Sequence, residues 1–332
     1  MSYQKGEDVN VGFARETVRG TAETPTMWMP ARTPTGMHLI VDKVPIRETR
    51  GSGVSSQGST VVQRRAEGDV EFNVRNNSIG FLFLSLLGSI STSTLVTGVY
   101  QHIFTILTGN PQFPTLTTGL SQNGSQDYKY ARTLVTALEI RTPVNDLVNA
   151  TASLLAADET TNSDFTPSFD LDVDNYFRHY DLTIKVAANV AGLAAASAFM
   201  VKEFSLSIVN NGRVNQNISQ LTPGDVLAVM HEITGSMKLD YDGEAQHDWY
   251  EDGAYKAMSI SMVRADVDID AAGTTANPTI TIVLPKVSLE SLTPDRPIDD
   301  IVMEEIEFTA HFDEDEAQAI EVTVINNTAN YN

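Results

Sequence analysis

Acidic residues alternate with apolar residues in two stretches, FDLDVDNY at residues 169–176 and ADVDID at residues 265–270. Carboxylates at every second position are the ligands of an EF-hand calcium loop. Such a loop would also need Gly where Asn175 stands and Glu where Asp181 stands. The pattern therefore favours strands with one acidic face over calcium sites. The aspartates concerned are Asp170, Asp172, Asp174, Asp266, Asp268 and Asp270.

Other residue patterns that carry chemistry are missing from the sequence. Cysteine is absent, which excludes disulfides, thiolate nucleophiles and cysteine-ligated zinc. There is no HExxH pair, no GxSxG elbow and no GxxxxGK[ST] loop. We therefore predict no enzyme activity, no metal and no cofactor. The six histidines, which we assign to surfaces or interfaces, are His38, His102, His179, His231, His247 and His311.

Composition indicates a globular protein with an acidic surface. Hydrophobic residues make up 42% of the 332 residues, and the net charge is −21. No apolar run is long enough for a membrane helix, and the first residues do not resemble a secretion signal. We expect a protein that is first soluble in the cytoplasm. The charge disfavours nucleic-acid binding and suits a surface that DNA passes without sticking, although ordinary solubility also explains it.

The elements that would position these residues are mostly strands. Residues 68–75 alternate cleanly and predict a half-buried strand, with Val70 and Phe72 on its buried face. Residues 78–87 (SIGFLFLSLL) predict a helix of about three turns between the cap residues Asn77 and Ser78 and the terminator Gly88. Residues 1–36 are rich in Gly and Pro and predict an extended arm.

The second half of the sequence resembles the first. Leu39 and Val41 match Leu206 and Ile208 at an offset of 167 residues, and residues 68–74 match residues 235–241 at the same offset. Later matches drift, with Leu138 and Ile140 against Ile306 and Phe308, and residues 150–154 against 321–325. We predict two similar domains, at residues 37–157 and 201–332, joined by residues 158–200. Each would carry one short helix.

Each half also contains a long polar loop, at residues 47–63 and 210–224. Loops of this length usually have a function, and a mobile surface excursion is the alternative.

Six segments follow one another along the chain, at residues 12–30, 64–88 (RRAEGDVEFNVRNNSIGFLFLSLLG), 98–105, 233–242 (ITGSMKLDYD), 301–312 and 319–327. In this order they resemble the tail tube proteins of siphophages. The resemblance implies a mainly β fold, a β-sandwich or split barrel, whose sheets join edge to edge into stacked rings. Two tandem domains would form such a ring from three chains; a hexamer, with one half decorating the tube, is the alternative.

The resemblance also implies partners and surfaces. The chain would bind itself and meet the tape-measure protein, DNA, tail terminator and tail-tip proteins, in a virion tail assembled in the host cytoplasm. We expect the polar faces of strands to form the wall or lumen, without knowing which face looks inward: Asp69, Glu71, Asn73, Lys238, Asp240, Glu305 and Glu307. We expect contacts between rings from Arg47, Arg50, Arg64 and Arg65 against Asp313, Glu314, Asp315 and Glu316. A solvated turn is the alternative for that acidic run.

Two other classes of protein remain open. One is another virion structural protein, such as a capsid decoration protein or tail-tip adaptor. The other is a carbohydrate-binding β-module, for which Trp249, Tyr250 and Tyr255 would supply the aromatic platform. Aromatic residues on a short helix more commonly pack onto a sheet.

Overall fold

The structure, a computed structural model, is built mainly from antiparallel strands with two short α-helices, which confirms the predicted fold class. It describes residues 6–33, 36–49, 51, 53–122, 126–162, 165–171, 173–241, 243–270, 276–296, 298 and 301–331. Within those residues no helix is long and apolar enough to cross a membrane.

The first half of the chain contains one α-helix between strands. The elements are β1 Val9–Arg15, β2 Met27–Met29, β3 Ala31–Thr33, β4 His38–Ile46, β5 Gly58–Asn73, α1 Ile79–Leu87, β6 Gly88–Val96, β7 Val99–Ile106, β8 Leu116–Gln122, β9 Asp127–Pro143, β10 Asn149–Ala156 and β11 Asp158–Asn162.

The second half also contains one α-helix between strands. The elements are β12 Leu182–Ala187, β13 Ala198–Phe199, β14 Val201–Val209, β15 Arg213–Asn215, β16 Asp225–Leu227, β17 Glu232–Asp240, α2 Ala245–Glu251, β18 Lys256–Val263, β19 Thr279–Asp295, β20 Met303–His311 and β21 Glu321–Asn326. Single turns of 3-10 helix lie at Gly6–Asp8, His179–Asp181 and Val190–Gly192.

Helix α1 forms where the sequence predicts it. All of its residues are buried, as expected for a helix that is apolar on every side. Gly88 ends the helix with φ of 90°, a conformation that glycine adopts without strain. The cap at the other end comes from a distant residue, because the Asp174 carboxylate accepts hydrogen bonds from the Asn77 and Ser78 amides at 2.9 and 3.3 Å.

One continuous antiparallel sheet of eight strands runs through both halves, and we call it the long sheet. Its order is β4, β5, β10, β9, β14, β17, β20, β19. The junction between halves is the β9–β14 pair, in which Leu206 lies opposite Ile140 and Ile208 opposite Leu138. All four of these side chains are buried.

Strands β9 and β19 are long enough to leave the long sheet and enter a second layer. The first part of β9 pairs with β8 and β11, and β8 continues through β1 to β2. The first part of β19 pairs with β18 and β21, and β18 continues through β12 to β13. Strand β21 also pairs with β7, and β7 with β6, which interlocks the halves.

Two segments outside the predicted domains contain paired strands. Within residues 1–36, Val9–Arg15 is a paired strand with a largely buried centre and not part of an extended arm. Within residues 158–200, Leu182–Ala187 belongs to the sheet of the second half. Leu182–Ala187 begins with alternating apolar and polar residues, and Val9, Val11 and Phe13 recur at every second position of the first strand. The neighbouring Gly, Pro and Ala residues hid that signal.

Strand pairing follows the same series in both halves. The order β4, β5, β10, β9 in the first is matched by β14, β17, β20, β19 in the second, and a helix follows the second member of each series. A β-bulge falls at Thr136 in β9 and at Glu290 in β19, at the same place in each series. Pairing thus relates β9 to β19 and β10 to β20, a different correspondence from the one that the later sequence offsets suggested.

Candidate functional site

One face of the long sheet is lined by polar side chains, and we call it the polar face. A single row across seven strands consists of Glu71, Thr151, Glu139, Ser207, Thr234, Thr309 and Ser288, each opposite the next. The other face carries apolar residues such as Phe72, Leu138 and Phe308, which belong to the core. Alternation along each strand therefore separates core from solvent across the whole sheet.

The seven residues predicted for a polar wall all lie on this face. Asp69, Glu71 and Asn73 are on β5, Lys238 and Asp240 on β17, and Glu305 and Glu307 on β20. Pairing through β10, β9 and β14 brings these separate strands into one surface. Sequence reasoning missed Glu139, Arg141 and Glu203, which share the face. Alternation within residues 133–142 is the signal that pointed to the first two.

Carboxylates outnumber cations on the polar face. Some are paired locally: Arg141 lies 2.6 Å from Glu139, and Lys202 lies 2.6 Å from Asp240. Pairs this exposed contribute little stability and leave the acidic excess in place. The acidic side chains that alternation places on this face are Asp42, Glu67, Asp69, Glu71, Glu139, Glu203, Glu232, Asp240, Asp295, Glu305 and Glu307, and the basic ones are Arg65, Arg141, Lys238 and Lys286, with Lys202 beside them at the irregularity in β14.

The polar face carries a groove of about 570 Å³ over the β9–β14 pair, at the junction between halves. Its walls come from five strands of the long sheet and from Arg32 on β3. The polar-face residues that line it are Arg141, Asn149, Glu203, Ser205, Ser236, Lys238 and Glu305.

Both ends of the long sheet have an edge that pairs with no strand among the described residues. Strand β4 pairs with β5 on one side, and Leu39 and Val44 on it are 36% and 49% exposed. The last part of β19 pairs with β20 on one side. An open edge that carries exposed apolar side chains is a surface that favours pairing with another chain.

The residues predicted to join rings differ in their exposure and in their contacts within the chain. Arg47 and Arg64 are exposed, whereas Arg65 binds Asp42 within the chain, and Arg50 lies outside the described residues. Asp313 pairs with Gln318 to close a turn, and Glu314, Asp315 and Glu316 are exposed on it. No ion pair links the basic and acidic groups where the structure describes them. A contact between them would have to form between chains.

The described aspartates among those considered for calcium, and the tryptophan considered for sugar binding, make contacts within the chain. No group of three potential ligands occurs among the described residues, and Asp172 is outside them. Asp266 binds Arg178 and Arg264, whose hydrogen bonds hold the pKa of Asp266 well below its usual range. Trp249 is buried, and its indole N–H donates to the Ala254 carbonyl at 2.7 Å.

Comparison with known proteins identifies one family. A family model described as phage tail tube protein matches residues 6–310, which is most of the chain. A search of curated proteins found no match.

Proposed function

The chain belongs to the phage tail tube protein family, and we propose that its copies polymerise as stacked rings into a hollow conduit for tape-measure protein and DNA. The family is a structural one whose members assemble into the tube of a virion tail. The ring, the stacking and the cargo are our proposal. The observation that carries it is the acidic polar face of an eight-stranded sheet whose two end strands each keep one edge that pairs with no strand among the described residues.

A ring of three copies follows from how each half contributes. Both halves supply four strands to the same sheet, so each chain would count as two domains around the ring. Three chains would close a barrel of 24 strands. At about 4.8 Å between strands, its circumference is about 115 Å and its diameter at least about 37 Å, more if the strands tilt. A hexamer with one half outside the wall would not use the second half this way.

The acidic polar face suits passage of DNA. Phosphates carry the same charge sign as Glu71, Glu139 and Glu305, so the wall repels them over about 8 Å in physiological salt. Few stable contacts would form, and DNA would slide. The polar face therefore lines the lumen in this proposal, while α1 and α2 lie on the opposite side with the core.

Other partners are proposed from the role. The tape-measure protein would occupy the lumen during assembly, and tail terminator and tail-tip proteins would bind the tube ends. Assembly would take place in the host cytoplasm. Two groups of this chain available for contacts between rings are the β4–β5 hairpin and the acidic turn at residues 313–316.

Electron microscopy of the purified protein tests the proposal. We expect negative-stain images to show hollow fibres of uniform width that lengthen as the protein is concentrated, and rings of three chains by native mass spectrometry at low concentration. A monomer that stays monodisperse at high concentration would contradict the proposal. A protein that instead binds isolated capsids without forming fibres would favour a decoration protein.

A further inference from the structure

We infer that the open edge of β19 pairs with β4 of a second copy in a defined register, with His38 opposite Thr293, Leu39 opposite Leu292 and Ile40 opposite Ser291. The β9–β14 junction inside each chain is the template for this seam. The inference rests on the proposed ring and adds which strands meet and at which residues.

The bulges fix the relation of β9 to β19. In β9 the extra residue is Thr136, opposite the step from Ser153 to Leu154 on β10. In β19 it is Glu290, opposite the step from Glu307 to Phe308 on β20. A bulge marks one definite position in a ladder. Leu292 thus stands in β19 where Leu138 stands in β9.

Two glycines fix the relation of β4 to β14. A Cβ at Gly68 on β5 would lie 2.3 Å from the Gly36 oxygen, and a Cβ at Gly235 on β17 would lie 2.5 Å from the Ser205 oxygen. The backbone of the neighbouring segment therefore approaches both glycines at a similar distance, with Gly36 beside Gly68 and Ser205 beside Gly235. Counting along the ladders from there places Leu39 in β4 where Ile208 stands in β14, two residues from the Leu206 that the sequence offset of 167 matches to it.

Exposure at the two open edges matches what the seam would bury. Ile208 and Leu138 face each other at the internal junction, and both are 0% exposed. Their counterparts Leu39 and Leu292 are 36% exposed and half-buried, respectively. Pairing the second copy would bring these two leucines together and remove their apolar surface from water.

Proline marks where the seam ends. At the internal junction the Asn210 N–H donates to the Thr136 oxygen at 2.9 Å. Hydrogen-bonded and non-hydrogen-bonded pairs alternate in an antiparallel ladder. From Thr136 onward, every second residue of β9 therefore points its backbone N–H and C=O groups at β14. The equivalent groups of Leu292 and Pro294 in β19 point at the open edge. Pro294 has no N–H to donate, and proline is confined to edges of this kind. The ladder with the second copy stops beside it.

Cysteine pairs test the register directly, because the chain has no cysteine of its own. His38 and Thr293 would form a pair without hydrogen bonds between them, in which Cα atoms approach to about 4.5 Å, close enough for a disulfide. We expect oxidised tubes of the His38→Cys, Thr293→Cys variant to give covalent dimers and trimers on a non-reducing gel. Mixing the two single variants should give covalent dimers only.

Two further pairs serve as controls. Ser207→Cys with Glu139→Cys occupies the equivalent internal position and should form a disulfide within one chain, without any gain in mass. His38→Cys with Asp295→Cys is shifted by two residues, to a separation of about 7–8 Å, and should link at least tenfold less.

The outcomes separate the two levels of inference. Tubes that form under reducing conditions but link only through the shifted pair, or through neither while the internal pair oxidises, would overturn this seam and leave the tube standing. Absence of tubes and rings from the reduced single variants and the unmodified chain alike would overturn the proposed function, and this seam with it.

Discussion

Glu304 is a carboxylate on the wrong side of the long sheet. It is 2% exposed, and its Oε2 atom makes no hydrogen bond to the described residues. Burial raises the pKa of Glu304 above the usual range of a carboxyl group, and the nearby Glu244 adds to that rise. The corresponding residue of the first half is the buried Ala150. Ionisation of Glu304 therefore lowers the free energy of unfolding.

The pH dependence of that cost has a definite sign. In the unfolded chain the carboxyl loses its proton near pH 4.3, whereas in the folded chain it holds the proton to higher pH. The penalty is absent at low pH and grows as pH rises. We expect Glu304→Gln to raise the free energy of unfolding by about 1 kcal/mol at pH 7.5 and to have almost no effect near pH 4.

Urea unfolding at the two pH values measures this difference. The neighbouring Glu305→Gln variant is the control, because Glu305 is exposed on the polar face. Its free energy of unfolding should stay within about 0.5 kcal/mol of the unmodified chain at both pH values. A stabilisation by Glu304→Gln that is equal at pH 4 and pH 7.5 would show that charge burial is not its cause.

At the scale of elements, Tyr331 packs against α1 at the position of Gly80. A Cβ at Gly80 would lie 2.1 Å from Cζ of Tyr331, whose ring is buried. The Tyr331 hydroxyl donates to the Asn77 oxygen at 2.8 Å and accepts from the Asn326 amide at 2.6 Å. Asn326 also donates to the Asn76 oxygen at 2.8 Å, so β21 is held to the start of α1.

This packing makes the effect of Gly80→Ala depend on Tyr331. In the unmodified chain we expect the added methyl to destabilise the protein by about 1–3 kcal/mol, because it overpacks a filled site. In a Tyr331→Ala background the clash is gone, and alanine should stabilise α1 by about 0.5–1 kcal/mol through its higher helix propensity. Chemical denaturation of the unmodified chain, the two single variants and the double variant measures the coupling. Equal destabilisation in both backgrounds would contradict the contact.

The same elements show what the sequence could predict. The sequence predicts helix α1 nearly to its ends, because the apolar run between Ser78 and Gly88 and the residues that bound it are all local signals for a helix. Alternation likewise assigned Asp69 and Glu305 to polar faces. Period-two patterns say which face a residue occupies, but the partner of a strand is decided by contacts distant in sequence. The order of the long sheet, the bulges and the capping of α1 by Asp174 therefore required the structure.

At the scale of the whole molecule, the β4–β5 hairpin exposes apolar side chains, and we propose it as a surface for contact with another ring. Val44, Val54 and Val62 on it are 49%, 65% and 45% exposed. The described part of its loop is nonetheless ordered by hydrogen bonds, since the Gln57 amide N–H donates to the Ile46 oxygen at 3.0 Å. An ordered hairpin that exposes several apolar side chains fits a surface for a second copy.

We expect deletion of residues 50–59 to leave the protein folded and to stop the stacking of rings. The deletion removes the loop and the first two residues of β5, and the core retains all its contacts, because the described residues within 50–59 are exposed or half-buried. Circular dichroism should match the unmodified chain, while sedimentation and negative-stain images should show single rings in place of fibres. A matched variant with residues 50–59 replaced by Gly and Ser at equal length separates loss of chemistry from loss of length. Fibres of normal length from the deletion variant would assign stacking to another surface, such as the acidic turn at residues 313–316.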